Sequence, residues 1–318
     1  MRVLFMGTPN FACPTLKALV GAGFDTIGVF TQADRPKGRG RVIQPPPVKE
    51  MARSLNLPVF QPPNLKKEEI GHLWSELRPD VAVVVAFGFI LPSWLLHGTS
   101  LGCINLHASL LPLYRGAAPI NWAIIAGDKE TGVTTMIMDE GMDTGPILLQ
   151  EKTPIFFEDT AGSLYDRLSV LGADLVIRTL KEYTKGLISP LNQPKDGSTT
   201  APKLDKEIGR LDWNKDNNSL FNLIRGINPS PGAFTFLDGR LLKIWNSVPV
   251  EGDEENAKPG MICGLDADAG LIVQTGKGKL AVKEVQPESK KRMSSDSFIS
   301  GCRLSPIGKI FSRFPDAV

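Results

Sequence analysis

Only three histidines occur among the 318 residues of the chain. One of them, His107, sits at the end of an apolar run, CINLHA (103–108), two positions after Asn105. Residues two apart on a strand point to the same face, so an imidazole and a carboxamide stand side by side. Downstream, MDEGMDTG (138–145) offers Asp139, Glu140 and Asp143 on a Gly-flanked loop. An imidazole oriented by a carboxylate, with an amide beside it, is a set suited to acyl transfer: one group handles a proton while the other steadies charge on oxygen. A lone histidine would read as a packed core residue; these neighbours argue for chemistry. No GxSxG element supplies a nucleophile, which leaves an amine or water belonging to the substrate. The first strand is followed by MGTPNFACP, with Pro9 where a dinucleotide fingerprint needs flexible backbone. GxxxxGK[ST], HExxH and paired Cys/His spacings are also missing, so the pattern points to neither a phosphate loop nor zinc.

The elements around these residues read as a layered α/β unit. RVLFMG (2–7), DTIGVFTQ (25–32), PDVAVVVAFG (79–88) and CINLHA (103–108) are short apolar runs, and FACPTLKALVGAG (11–23) has a helical pattern closed by glycines. Strands apolar on both faces, alternating with helices, predict a Rossmann-like parallel sheet covered on both sides, with ligands beyond the carboxyl ends of the strands. TGVTTMIMDEGMDTGPILLQEKTPI (131–155) reads as two β segments around a turn, and 158–186 as a long amphipathic helix with Asp159 or Thr160 as its cap. SPLNQPKDGSTTAPK (189–203) lacks periodicity and is rich in Pro, Ser and Thr, as linkers are. Beyond it, short β runs with Gly/Asp turns predict a small β-barrel of oligonucleotide-binding (OB) type.

Bulk properties narrow the classes. A 42% hydrophobic and 22% charged composition is that of a globular protein. The longest apolar run, Val81–Leu91, falls short of the roughly 20 residues that span a bilayer. The opening MRVLFMG shows no secretory or transit pattern, and Cys13, Cys103, Cys263 and Cys302 are scattered; a cytoplasmic protein with reduced thiols and no membrane partner is expected. Net charge is +2, but RPKGRGR (35–41) holds four basic residues and no acid. Residues 277–313 hold nine Lys/Arg against three Asp/Glu. Two basic patches on a nearly neutral chain suggest an anionic macromolecule.

INLHASLLPLYRGAAPINWAI (104–124) together with TGVTTMIMDEGMDTG (131–145) resembles the 10-formyltetrahydrofolate-dependent formyltransferases. GVFTQADRPKGRGR, PPPVKEMA, KLDKEIGRLDW, IRGINPSPGAF and VQPESKKRMSSDSF extend the likeness over the whole chain, and point within that family to enzymes that act on tRNA. The resemblance implies transfer of a formyl group from 10-formyltetrahydrofolate to the α-amine of methionyl-initiator tRNA in translation initiation, by a monomer that uses no metal. It implies a catalytic domain over 1–188 with a basic insertion at 33–48, a linker at 189–206, and a tRNA-binding barrel at 207–318. Asn105, His107 and Asp143 would be the catalytic side chains. Phe87, Gly88, Phe89, Ile90 and Leu91, the turn Ser109, Leu110, Leu111 and Pro112, and Asp139 with Glu140 would cradle the folate. Arg35, Lys37, Arg39 and Arg41 would meet tRNA, with Lys203, Lys290, Lys291 and Arg292 along its path. Three positions depart from the family pattern: Phe87 replaces a usual Tyr, Ser230 an aromatic, and Ser289 a common Gly. A sugar-nucleotide N-formyltransferase, a formyltetrahydrofolate hydrolase, and a non-catalytic RNA-binding module on the same scaffold are the competing readings.

Overall fold

A computed structural model describes the chain except for residues 38, 39, 41, 195, 267, 268, 303, 304 and 316–318, and the side chain of Lys37. The chain divides into two compact units. One comprises Met1–Pro119, Glu130–Pro154 and Tyr165–Ala201; the other comprises Ile120–Lys129, Ile155–Leu164 and Pro202–Val318.

The strands of the first unit are β1 (Arg2–Gly7), β2 (Asp25–Phe30), β3 (Arg35–Lys37), β4 (Val42–Gln44), β5 (Val59–Phe60), β6 (Val81–Val85), β7 (Cys103–His107), β8 (Arg115–Gly116), β9 (Glu130–Ile137), β10 (Ile147–Pro154) and β11 (Thr200–Ala201). Seven of them form one sheet in the order β10-β9-β7-β6-β1-β2-β5. From β7 to β5 every pairing is parallel, whereas β9 runs antiparallel to both β7 and β10. The expected parallel sheet is therefore mixed. A direct turn joins β9 to β10, and a turn without a crossover helix can only reverse direction.

Both faces of the sheet are covered, which explains the unbroken apolar runs. Leu4 and Met6 of β1 and Ala82 and Val84 of β6 pack with Ile70 and Trp74 of the helix Lys67–Leu77 and with Leu95 and Leu96 of the short helix Ser93–Leu96. The alternate residues Val3, Phe5, Val81, Val83 and Val85 are just as buried. β3 and β4 form a separate two-stranded ribbon. The long helix spans Ala161–Thr184; Thr160 caps it, accepting from Ser163 N at 3.2 Å while Ser163 Oγ accepts from Thr160 N at 3.0 Å.

In the second unit, β12 (Ala233–Leu237), β13 (Arg240–Val250), β14 (Ile262–Asp266), β15 (Gly270–Gln274) and β16 (Lys279–Pro287) are antiparallel in the order β12-β13-β16-β15-β14, with β17 (Met293–Ser294) beside β16. The edges do not stay open. Ser312 bridges to Phe236 of β12, and Ile310 bridges to Met261 just before β14, so the C-terminal segment ties the two edge strands into a small barrel. Its core gathers Leu211, Trp213, Leu220, Ile224, Ile244, Leu271, Val273, Val282 and Phe311. Among the described residues, no helix is long and apolar enough to cross a membrane.

Candidate active site

Asn105 and His107 occupy the carboxyl end of β7, where strand alternation puts them on one face. β6 and β9 fix them from either side: Asn105 lies opposite Val84 and Met136, and His107 opposite Thr134. His107 is 7% exposed. Its Nε2 lies 3.0 Å from the Tyr114 carbonyl oxygen. A carbonyl only accepts, so Nε2 carries the proton and Nδ1 is the nitrogen that faces Asp143. Asp143 Oδ2 stands 3.7 Å from Nδ1 and accepts from the Gly116 amide at 2.8 Å.

The sequence left three carboxylates open as partners for the imidazole, and the structure separates them. Asp139 accepts from Thr144 Oγ1 at 2.8 Å and from the Gly141 amide at 3.1 Å, so it braces its own loop. Glu140 turns to Ser93 Oγ at 3.3 Å and His97 Nε2 at 3.1 Å, and the His97 hydrogen bond holds its carboxyl below the usual range. Asp143 alone of the three reaches His107. It comes from an unexpected side. The loop leaves β9 beside Cys103, where Met138 N donates to Cys103 O at 2.8 Å, at the start of β7 and not at its end. The antiparallel strand thus starts this loop at the far end of β7, and residues 138–143 bring the carboxylate to the imidazole.

Two groups that sequence reasoning missed hold this arrangement. Tyr114 contributes its carbonyl from a left-handed backbone, φ +58°. Gln193 donates to both the Asp143 and Gly145 carbonyl oxygens at 2.8 Å and accepts from Arg115 Nη2 at 2.6 Å. Gln193 lies in the stretch read as a linker. That stretch is hydrogen-bonded into the first unit, through Leu191 with Ile147, Thr199 Oγ1 with the Tyr114 amide, and β11 with β8. Gly116 is required there: at φ +125°, a Cβ would lie 2.7 Å from Ala201 O. Pro, Ser and Thr composition signals missing periodicity, but it does not report side-chain bonds to backbone.

The turn after β7 is fixed by Thr134, whose hydroxyl donates to Ser109 O at 2.6 Å and accepts from the Leu111 amide at 3.1 Å; Ser109 Oγ in turn donates to Leu113 O. Gln150 closes over it through Leu111 O at 2.9 Å, leaving Leu110 and Pro112 within a braced turn. In the 87–91 segment Phe87 is buried and packs against Phe89, ring centroids 5.2 Å apart, while Ile90 is 94% exposed and Leu91 is buried. The Phe87 ring sits in an apolar cluster with Leu4 and Met6, which gives no reason for the usual hydroxyl. Gly88 has φ +81°, and its carbonyl accepts from Gln32 Nε2 at 3.0 Å. Asn105 supplies the clearest sign of a ligand. Its Nδ2 donates to Val84 O at 3.2 Å, which fixes the amide's orientation, and its buried Oδ1 has no partner among the described residues.

Of the basic residues singled out, Arg35 is exposed on β3, whereas Arg39, Arg41 and the side chain of Lys37 lie outside the described residues. Lys203, Lys290, Lys291 and Arg292 are exposed on the second unit. The Arg292 guanidinium lies 3.5 Å from the Trp245 ring centroid, and Lys243, which the sequence reading passed over, lies 5.1 Å from the same ring. Trp245 thus holds two cations, and Gln286 Oε1 accepts from its indole N–H at 3.0 Å. Ser289 adopts φ +62°, which accounts for glycine being common there. Ser230 is exposed, and nothing in the structure explains its replacement of an aromatic. The described residues contain no cluster of three or more His, Cys, Asp or Glu that could hold a metal.

These features form a candidate site suited to acyl transfer on a mixed α/β sheet, and comparison with known proteins shows the family. Residues 1–180 match the formyl transferase family model and residues 203–303 match that of the formyl transferase C-terminal domain. The chain belongs to the formyltransferase family. It is 49% identical to the methionyl-tRNA formyltransferase of Pelotomaculum thermopropionicum, over 95% of this chain and 96% of that protein. It is 48% identical to that of Geobacter metallireducens, over 96% and 97%. Among solved structures, an N-formyltransferase from Helicobacter canadensis in complex with folinic acid and dTDP-3-aminofucose superposes with TM-score 0.66 at 20% identity, over 90% of this chain and 98% of that one. HypX from Aquifex aeolicus in complex with tetrahydrofolic acid gives 0.61 at 18% identity over 94% of this chain, which spans only 47% of HypX. At these identities the structural likeness establishes the fold.

Proposed function

We propose that the protein transfers the formyl group of 10-formyltetrahydrofolate to the α-amine of methionyl-initiator tRNA. The observation that carries this reading is near-full-length identity of 46–49% to proteins named methionyl-tRNA formyltransferase. The geometry around Asn105, His107 and Asp143 suits that chemistry.

The bound folate supplies an electrophilic formyl carbon; the protein supplies the groups around it. A carboxamide has two N–H donors and a carbonyl acceptor. Val84 takes one donor of Asn105, so the second is available to the formyl oxygen as negative charge develops there. A donor of this kind is worth roughly 100- to 1,000-fold in rate. The unpartnered Oδ1 is available to accept an N–H of the attacking amine, which would aim its lone pair. Attack requires a neutral amine that sheds a proton. As the new bond to the formyl carbon forms, the bond from that carbon to the folate nitrogen would break, and that nitrogen would take up the proton as tetrahydrofolate leaves. The 3.7 Å gap between His107 Nδ1 and Asp143 Oδ2 is too wide for a direct hydrogen bond and brackets a place for that proton. The Tyr114 carbonyl and the Gly116 amide hold the two groups in place meanwhile.

Phe87–Leu91, Ser109–Pro112 and the Asp139–Asp143 loop form the folate cradle in this reading, largely through backbone groups. Arg35, Lys37, Arg39, Arg41, Lys203, and the Lys290–Arg292 cluster with Lys243 are the tRNA contacts. Residues 1–188 act as the catalytic domain and 207–318 as the tRNA-binding domain, joined by 189–206, whose Gln193 also braces the Asp143 loop, in a cytoplasmic monomer working without metal. The test is formyl transfer to methionyl-initiator tRNA beside uncharged tRNA and an amino-sugar nucleotide. Product with charged tRNA alone is expected. Transfer to the sugar would overturn the acceptor, and binding of tRNA without transfer would leave only a binding module.

A further inference from the structure

Lys49 takes no part in the chemistry above, yet it is only 8% exposed. Its Nζ donates to both carboxylate oxygens of Asp34 at 2.8 Å and to Gln61 Oε1 at 2.6 Å. Gln61 Nε2 donates in turn to Asp34 Oδ1 at 2.8 Å and to the Gln32 carbonyl oxygen at 2.7 Å. The Gln32 side chain completes the path, donating to Phe87 O at 3.2 Å and Gly88 O at 3.0 Å. Asp34 immediately precedes β3, and Lys49 lies just past β4, in the helix Pro47–Ser54. The polar cluster therefore clamps the root of the basic ribbon and reaches the segment assigned to folate.

A second path ends on the same carbonyl. Val48 N donates to Thr8 O at 3.4 Å, and Thr8 Oγ1 donates to Phe87 O at 2.9 Å. Phe87 O thus receives the side chain of a residue before the insertion and that of a residue bonded to the helix after it. The Lys49 hydrogen bond, ahead of that from Gln61, holds the Asp34 carboxyl below its ordinary range, so the carboxylate stays charged near neutrality. Loss of one partner from a satisfied polar cluster leaves the others desolvated and unpaired, so its members are costly to separate.

We propose that Gln32, Asp34, Lys49 and Gln61 are positioning residues that couple the basic ribbon to the folate segment, so that tRNA on one and folate on the other strengthen each other's binding. This rests on the roles proposed above for the two segments. Coupling of this kind is reciprocal and is measured as a ratio of affinities.

The experiment titrates tetrahydrofolate, which carries no formyl group to transfer, into the full-length protein with and without saturating methionyl-initiator tRNA. In the wild type, tRNA should tighten folate binding by about fivefold or more, the lower range of typical coupling. Gln61→Met keeps side-chain length and leaves both the Lys49–Asp34 pair and the Thr8 path in place; the factor should fall by about twofold or more while each ligand alone still binds. In turnover, the same variant should raise the KM for tRNA at low folate and leave kcat at saturation unchanged. A wild type without coupling, or a Gln61→Met protein that keeps the full factor, overturns the proposal. If Gln61→Met unfolds at a lower temperature than the assay allows, Gln32→Met asks the same question by removing only the Gln32 side chain's bonds to Phe87 and Gly88. Formyl transfer assayed in the same preparations separates the two failures. Transfer without coupling defeats this inference alone, whereas a wild type that transfers nothing to tRNA defeats the functional reading and this inference with it.

Discussion

Asp143 Oδ2 stands 3.7 Å from His107 Nδ1 while the Gly116 amide holds the same oxygen at 2.8 Å. The carboxylate is thus anchored to backbone before it meets the imidazole, and the imidazole is anchored on its far side to Tyr114 O. His107→Ala and Asp143→Asn should each lower kcat by about 100-fold or more, the usual range for general acid–base groups, with tRNA affinity little changed. Steady-state kinetics beside a tRNA binding isotherm would show this. Near-normal turnover in either variant would remove that residue from the chemistry.

Asn105 allows a sharper test because its two polar atoms have different jobs. Asn105→Ala deletes both and should reduce kcat by roughly 100- to 1,000-fold. Asn105→Asp keeps acceptor oxygens but loses the donor and sets a negative charge beside the developing one, so it should be at least as slow. An Asp variant within a few-fold of wild type would show that the donor is not used.

The Trp245 platform makes a prediction about salt. Lys243→Ala and Arg292→Ala should weaken tRNA binding without altering folate binding, and each should flatten the slope of log affinity against log salt by about one. Trp245→Leu removes the ring on which both cations rest and should reproduce much of the combined loss. Unchanged slopes in all three variants would place tRNA elsewhere.

Asp216 tests the second unit through its stability. It caps the helix Asn217–Gly226, accepting from Ser219 N at 2.9 Å and Ser219 Oγ at 2.6 Å. The Ser219 hydroxyl and then its amide hold the Asp216 carboxyl below its usual range. A lowered folded pKa gives stability that is present above the unfolded value, about 3.9, and lost as pH falls through the folded one. Asp216→Ala should cost about 1 kcal/mol at neutral pH, and the two unfolding curves should converge in acid. A deficit that persists unchanged at low pH would mean the carboxylate is not the cap.

The pattern of the chain made the central strands legible because β1 and β6 are apolar on both faces, a signature few other elements share. The pairing of Asn105 with His107 followed from strand alternation alone. Direction was harder. Nothing in the composition of β9 says that it runs against β7, so the rim from which Asp143 arrives became visible only with the hydrogen-bond register. Gln193 and the Tyr114 carbonyl stayed hidden for another reason: backbone acceptors carry no residue code, and a glutamine between Asn192 and Pro194 looks like loop filler. The Lys49 cluster was invisible because its members, at positions 32, 34, 49 and 61, meet only after the β2–β5 pairing forms.

Tyr114 and Asp143 both sit in left-handed backbone, at φ +58° and +54°. For residues with a side chain this conformation costs about 1–2 kcal/mol each. Against a typical net stability of about 5–15 kcal/mol, two such positions beside one imidazole are a noticeable fraction of the margin. Glycine would relieve the cost at either position, but at Asp143 it would delete the carboxylate, and at Tyr114 it would free the segment whose carbonyl fixes His107. A lineage adapting to heat is therefore barred from improving the chain at these two points. Its gains have to come from the helices, the barrel and the surface.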